Sequence, residues 1–236
     1  MKPAPLEPDG IEPDGVELGG VEPGGAAAFI LANTIMGASV LQPGLKLYLA
    51  SEITPLWLAT EDFLRTHNMA PPFWAFAWPG GEVLAQYIAC HPEIVRGKTV
   101  LDFAAGGGIA ALACAAAGAA RVEAAEIDPL AVAAMRLNAA ANQLEIFPLL
   151  GDIVGAACRW DIILCGDVCY EAAMTRHILP WLRQCAAKIP VLMADPGRTY
   201  APDQGFEVIE EIDVPTSLEL EDSASRTVRL LRLRPG

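Results

Sequence analysis

The sequence predicts a doubly wound α/β fold with a mostly parallel sheet and an antiparallel C-terminal edge strand. Three observations support this prediction. From Lys98 onward, short apolar runs alternate with helical segments, which is typical of a parallel sheet with right-handed crossovers. A Gly-rich turn follows the first apolar run, and the C-terminal part changes to two long segments joined by an acidic loop. With 236 residues, 53% of them hydrophobic, the chain is long enough to bury one sizeable core.

We predict three segments along the chain. Residues 1–25 contain four acidic five-residue units rich in Pro and Gly, which predict a disordered tail. Residues 26–97 are expected to form N-terminal strands and helices that pack on the core and include the aromatic segment FWAFAW. Residues 98–236 are expected to form the ligand-binding core.

The N-terminal elements are predicted from local patterns. Between Ala26 and Ile53 we expect irregular chain with short strands, of which LKLYLASEI is the best candidate. Leu56 to Thr66 is predicted to be helical. Pro79 suits the start of a further helix. The apolar residues of that helix fall on one face: Val83, Leu84, Tyr87 and Ile88.

The core elements follow in a regular order. The predicted strands are TVLDFA, RVEAAEI, EIFPLLG, DIILCGDV, VLMADP, FEVIEEIDVP and SRTVRLLRL. The helix IAALACAAAGAA follows the first strand, and Asp128 and Pro129 should cap and begin a helix that ends near Asn142. A helix from Ala172 to Lys188 should be kinked or broken by Pro180.

Charge and cysteine content argue against several classes of protein. The chain has 16 Lys and Arg against 29 Asp and Glu, a formal net charge of −13, whereas a nucleic-acid binder needs a basic face. The uncharged stretches, residues 26–45 and 103–120, contain polar residues or glycine clusters and predict no membrane span. The six cysteines form no CxxC pair, so we expect no metal, no disulfide framework and a cytoplasmic protein.

The Gly-rich turn predicts a nucleoside cofactor. Gly106 and Gly108 let the backbone approach a ligand at a helix N-terminus. Glu126, twenty residues after Gly106, ends the second strand, where it can accept hydrogen bonds from ribose hydroxyls. By itself this pattern also fits a dinucleotide enzyme.

Two further carboxylates favour S-adenosylmethionine over a nicotinamide or flavin cofactor. Asp102 lies directly before the turn, where it would repel a pyrophosphate but tolerate an ammonium or sulfonium group. Asp152 follows the third strand, where it can accept from an adenine amino group. Each acid has an alternative interpretation: Asp102 as an acceptor for turn N–H groups, Glu126 as solvated surface, and Asp152 as the first residue of a turn.

A second group of residues follows the fourth strand, in the segment GDVCYE. Ligand sites of open α/β sheets lie beyond the carboxyl ends of the strands, so Asp167 and Tyr170 are candidates for the substrate entrance. The alternative is that Asp167 begins a turn and Tyr170 packs beneath it. The motif DPGR leaves open whether Arg198 contacts the substrate or closes the edge of the site.

Several motifs together resemble one methyltransferase family. PPFWAFAWPGG, LDFAAGGG, EIDP, GDVCYE, DPGR and DVPT…LED occur here in one order. They are similar to the lysine methyltransferases that act on the β subunit of electron transfer flavoprotein, in the family sixteen group of class I enzymes. The resemblance implies a seven-stranded Rossmann-like methyltransferase sheet, S-adenosylmethionine as cofactor, a Trp at position 78 against that cofactor, and active-site roles for Asp167 and Tyr170. The sequence departs from the family at Ala104, which replaces the first Gly of the turn and is compatible only with a negative φ.

The resemblance and the motifs define our expected site and function. The cofactor-binding set is Trp78, Asp102, Ala104, Gly106, Gly108, Glu126, Ile127, Asp152 and Ile153, and the catalytic pair is Asp167 and Tyr170. We expect a protein-lysine N-methyltransferase acting on the β subunit of electron transfer flavoprotein, with ribosomal protein as a further acceptor. Two alternatives stay open: a small-molecule, nicotinamide-like N-methyltransferase, and a non-catalytic cofactor-binding interaction protein.

Overall fold

The protein is described by a computed structural model that covers residues 23–51, 71–216, 221 and 223–236. Most of the predicted acidic tail and the predicted helix from Leu56 to Thr66 lie outside the described residues. The described helices are α1 (Pro23–Asn33), α2 (Pro79–Cys90), α3 (Ile109–Ala116), α4 (Pro129–Asn142) and α5 (Ala172–Ala186). The described strands are β1 (Ile35–Ala38), β2 (Lys46–Leu49), β3 (Thr99–Phe103), β4 (Arg121–Glu126), β5 (Phe147–Leu150), β6 (Ile162–Gly166), β7 (Val191–Asp195), β8 (Phe206–Pro215) and β9 (Ser225–Leu233).

Seven of these strands form one sheet, in the order β5-β4-β3-β6-β7-β9-β8. The pairs from β5 to β7 are parallel, and β9 runs antiparallel to both β7 and β8. The doubly wound α/β prediction with an antiparallel C-terminal pair is therefore confirmed. The chain leaves β3 in one direction to form β4 and β5 and in the other to form β6 and β7, which creates a crevice at the end of β3.

Helices pack on both faces of the sheet. One face holds α2 and α3, where Val83, Leu84 and Leu112 are fully buried against sheet residues such as Ile162. The other face holds α5, whose Trp181 packs near Phe103 with ring centroids 5.2 Å apart. Within the described residues, no helix combines the length and the apolar character needed to cross a bilayer.

Local signals account for most element boundaries. The Asp128 carboxylate accepts from the Leu130 N–H at 2.8 Å, and Pro129 follows as the first helical residue, as predicted. Pro79 begins α2 in the same way. Pro180 lies inside α5, and the helix continues beyond it to Ala186, so the proline does not break the helix. Pro180 is exposed on the helix surface.

The N-terminal region differs from the expected irregular chain. α1 spans Pro23–Asn33, because its alanine-rich sequence favours helix and Ile30 is buried beside Ala131 and Ala134 of α4. Two short strands follow, and β2 lies inside the predicted LKLYLASEI segment. Packing against α4 therefore determines that this segment is helical, and local sequence patterns do not predict it.

Candidate active site

A cleft of about 550 Å³ opens at the carboxyl ends of the central strands. The structure brings nine of the eleven predicted site residues to its wall: Trp78, Ala104, Gly106, Glu126, Ile127, Asp152, Ile153, Asp167 and Tyr170. Asp102 lines a smaller cavity that shares Trp78, Ala104 and Asp167 with the cleft. Gly108 lines neither cavity and instead precedes α3 with φ of 82°.

The Gly-rich turn has a tightly constrained backbone. Gly106 has a φ of 52°, and a Cβ on Gly107 would lie 2.8 Å from the Trp74 carbonyl oxygen. Ala104 also has a positive φ, of 54°, so the expectation that this position keeps a negative φ is wrong. The left-handed region costs a non-glycine residue roughly 1–2 kcal/mol, so the turn is held in place by its surroundings.

Asp102 is buried at the end of β3 and hydrogen-bonded to the helix beyond the turn. Its carboxylate accepts from the Ala111 N–H at 2.9 Å. Burial raises the pKa of Asp102 to about 7, the Ala111 hydrogen bond partly offsets this, and the charge of Glu126 adds to it. The carboxyl group therefore stabilises the turn, and a cation that enters the smaller cavity would favour its ionised form.

Glu126 joins the end of β4 to the Gly-rich turn. One carboxylate oxygen accepts from the Gly106 N–H at 3.0 Å, and the other accepts from the Ile127 N–H at 2.7 Å. Burial raises the pKa of Glu126, and these backbone hydrogen bonds lower it. Glu126 is therefore part of the cleft wall and is not solvated surface.

Asp152 lies at the far end of the cleft and is paired with a residue that sequence reasoning missed. Its carboxylate accepts from the Val154 N–H at 2.9 Å and lies 2.7 Å from the His177 Nε2 atom. Both contacts hold the pKa of Asp152 below its ordinary value, with the Val154 hydrogen bond as the larger cause. No sequence pattern pointed to His177, which reaches the cleft from α5.

Aromatic side chains form the opposite wall. The Trp78 indole N–H donates to the Phe73 carbonyl oxygen at 2.7 Å, and the Phe73 ring centroid lies 5.3 Å from that of Tyr170. Trp74 is buried, and its indole N–H has no hydrogen-bond partner within the described residues. Phe73 and Trp74 lie in the aromatic FWAFAW segment, but their place in the cleft wall depends on tertiary contacts that the sequence pattern does not show.

Asp167 is buried at the end of β6, and an arginine already neutralises it. One of its oxygens accepts from the Gly80 N–H at 2.6 Å, and the other accepts from the Arg198 Nη2 group at 2.6 Å. Burial raises the pKa of Asp167 to about 6, although the charge of Arg198 lowers it. Arg198 in turn contacts Glu221, which the sequence placed in the LED motif without giving it a role.

Comparison with known proteins identifies the family. The chain is 36% identical over 176 residues to the human electron transfer flavoprotein beta subunit lysine methyltransferase, covering 72% of this chain and 66% of that protein. It is 36% identical over 183 residues to the Danio rerio protein of the same name, covering 75% of this chain and 70% of that protein. The chain belongs to the electron transfer flavoprotein beta subunit lysine methyltransferase family.

This lysine methyltransferase family member also resembles other methyltransferases. The family model of ribosomal protein L11 methyltransferase (PrmA) matches residues 86–166. The L11 methyltransferase of Thiobacillus denitrificans is 46% identical over 116 residues, covering 48% of this chain and 38% of that protein.

Solved structures share the fold. A proposed RNA methyltransferase from Pyrococcus horikoshii matches with a TM-score of 0.50 and 17% identity, covering 65% of this chain and 83% of that one. A proposed methyltransferase solved with SAH matches with a TM-score of 0.50 and 12% identity, covering 80% of this chain and 53% of that one. At these identities the two structures show a common methyltransferase fold alone.

Proposed function

We propose that this protein transfers a methyl group from S-adenosylmethionine to a lysine of the β subunit of electron transfer flavoprotein. The observation that carries the proposal is the convergence of Glu126, Asp152 and an aromatic wall on one cleft, with Asp102 in the adjoining cavity, in a chain whose relatives carry that activity in their names. The relatives extend beyond the aligned region, so the acceptor is assigned here by similarity of the shared part.

The chemistry of the cleft fits this cofactor. S-adenosylmethionine presents a cationic amino acid end, a ribose diol and an adenine amino group. Asp102 would hold the amino acid end, Glu126 the ribose and Asp152 the adenine, with Ile127 and Ile153 beside the base. Among the described residues lining the cleft, Arg198 and His177 are the basic ones, and each contacts a carboxylate, so no free cation is present there for a pyrophosphate.

The Trp74 indole N–H, which has no hydrogen-bond partner among the described residues, supports the same assignment. It is buried between the two cavities, and leaving such a donor unpaired costs roughly 1–3 kcal/mol. An acceptor group of a bound cofactor would satisfy it. Trp78, which lies next to both cavities, would pack against the cofactor.

The chain's contribution to catalysis is positioning and exclusion of water. When bound, S-adenosylmethionine supplies an electrophilic methyl group: the amine lone pair forms the N–C bond as the C–S bond breaks and its electron pair goes to sulfur. Tyr170 and Phe73 would hold the amine, and Asp167 would accept one of its N–H groups. Orientation within the range of about 3–3.5 Å between reacting atoms accounts for much of the acceleration of such reactions.

The test is the intact mass of electron transfer flavoprotein taken from a strain that lacks this protein. Incubation with the protein and S-adenosylmethionine should add methyl increments to the β subunit and none to the partner subunit. Asp167→Asn should reduce methylation strongly while S-adenosylmethionine binding survives. Loss of cofactor binding in that variant would contradict the role assigned to Asp167.

Ribosomal protein L11 is the second candidate acceptor, because the L11 methyltransferase model and the Thiobacillus denitrificans protein match the central part of this chain. Purified L11 belongs in the same assay. Methyl increments on L11 alone would show that L11, and not the flavoprotein, is the substrate. Increments on neither protein would move the assignment to another acceptor.

A further inference from the structure

The backbone of Arg198 is held in place by a turn that follows β7. The buried Asp195 carboxylate accepts from the N–H groups of Gly197 and Arg198, both at 2.8 Å. This turn fixes the Arg198 backbone beside the end of β6. The guanidinium carbon of Arg198 lies 5.5 Å from the centre of the Trp78 ring.

The guanidinium of Arg198 lies between two buried carboxylates. Its Nη2 and Nε groups donate to one oxygen of Asp167 at 2.6 and 3.1 Å. Its Nη2 and Nη1 groups donate to Glu221 at 2.6 and 3.1 Å. Glu221 also faces Arg226, with Nε and carboxylate oxygen 3.2 Å apart. Glu221 thus fixes the guanidinium at the position where it meets Asp167.

Asp167 keeps little capacity for a further partner. A carboxylate accepts about four hydrogen bonds, and Arg198 and the Gly80 N–H fill three of these positions on Asp167. One position remains on a group that lines the cleft. That position suits a single N–H donor, and Arg198 already compensates the negative charge of the Asp167 carboxylate.

We propose that Arg198 is a positioning residue that neutralises Asp167, so that the acceptor end of the cleft receives the lysine side chain as a neutral amine. This inference rests on the proposed function. A free lysine is neutral in only about one molecule in a thousand near pH 7.4. An uncompensated carboxylate beside it would stabilise the ammonium form, which has no lone pair for the reaction. Arg198 removes that effect and leaves Asp167 as an orienting acceptor.

Other charged groups surround the acceptor end and must be considered with Arg198. Their net charge is negative, and among the described residues that line the cleft Arg198 is the one with a fixed positive charge. These groups are Asp102 in β3, Glu126 at the end of β4, Tyr170 and Glu171 after β6, Asp195 at the end of β7, Glu221, and Arg226 in β9.

The test is the pH dependence of kcat, measured at saturating unmethylated electron transfer flavoprotein and S-adenosylmethionine up to the pH at which the wild-type rate no longer rises, for the wild type, Arg198→Met and Arg198→Lys. The parameter kcat is used because it follows ionisations within the enzyme–substrate complex. Arg198→Met should lose about tenfold at each pH below the pKa of the bound amine in the wild type, and the loss should shrink above that pKa, because one nearby charge shifts a pKa by about one unit or more. Arg198→Lys should restore most of the profile. Arg159→Met is the matched control, since Arg159 is bound to the buried Glu123 at the other end of the sheet.

The outcomes separate the inference from the proposed function. The inference is supported if the acid limb of the pH profile moves to higher pH in Arg198→Met and returns to the wild-type position in Arg198→Lys. A loss in Arg198→Met that persists undiminished on the plateau of the wild-type profile, or no loss at all, overturns it while the wild type remains active. If the wild type methylates no lysine of the flavoprotein, the proposed function and the inference fail together. Circular dichroism of both variants at each pH shows that the comparison is made on folded protein.

Discussion

Ala104 has a backbone conformation that its own side chain disfavours. Its φ is 54°, and it lies between β3 and the Gly-rich turn, on the wall of both cavities. Glycine adopts positive φ without a steric cost, whereas the Cβ of alanine disfavours it. The surrounding contacts therefore impose the conformation, and the strain is located where the cofactor is proposed to bind.

Replacing Ala104 with glycine should raise the free energy of unfolding by about 1 kcal/mol, because the Cβ that disfavours this φ is removed. Urea denaturation measures the difference. Ala105→Gly is the control at the next residue, whose φ is not positive, and it should lower the free energy of unfolding by about 0.5 kcal/mol. Equal losses in both variants would contradict the account of strain.

The buried Asp102 carboxyl makes stability depend on pH. Burial raises its pKa from 3.8 to about 7. As pH rises through this window, the unfolded chain releases the proton first, so this group's contribution to stability falls between pH 3.8 and about 7 and stays low above that. Asp102→Asn should therefore be increasingly more stable than the wild type as pH rises, by up to about 4 kcal/mol.

Thermal or urea unfolding at several pH values across that window measures this difference. Asp203→Asn is the matched control, because it makes the same substitution at an exposed carboxyl. A stability difference for Asp102→Asn that does not change with pH would show that the carboxyl is not held neutral by burial.

At the level of elements, the start of α2 is packed directly against the ends of β6 and β7. A Cβ on Gly80 would lie 2.6 Å from the Ala194 carbonyl oxygen and would also contact the Asp167 carboxylate. A Cβ on Gly166 would lie 2.8 Å from the Gly81 nitrogen. The double Gly after Pro79 therefore lets a helix N-terminus reach Asp167 and donate to it.

Gly80→Ala should lower the free energy of unfolding by about 1–3 kcal/mol, because the contacts are with backbone that cannot yield without moving a strand. It should also reduce methylation, since the Gly80 N–H would no longer meet Asp167. Gly44→Ala is the matched control: a Cβ there would meet nothing within 4 Å. Unfolding midpoints that fall equally for both variants would argue against close packing at Gly80.

At the level of the whole molecule, the sequence predicts the centre of the sheet well because β6 and β7 are buried apolar runs bounded by turn residues. It also predicts which carboxylates end those strands, since their spacing follows from the alternation of strands and helices. The pairing of Arg198 with Asp167 and Glu221 could not be predicted, because the partners are 31 and 23 residues away in the chain. The sign of φ at Ala104 and the burial of α1 likewise depend on tertiary contacts.

The placement of β9 between β7 and β8 has a consequence for the order of assembly. β8 precedes β9 in the chain, and among the described strands β9 is its only partner in the sheet. The five parallel strands can therefore assemble first, and they leave the edge of β7 without a partner until the last strand inserts. During that interval the intermediate exposes a hydrogen-bonding edge to other chains, so refolding yield should fall with protein concentration even though the native sheet has a charged outer strand.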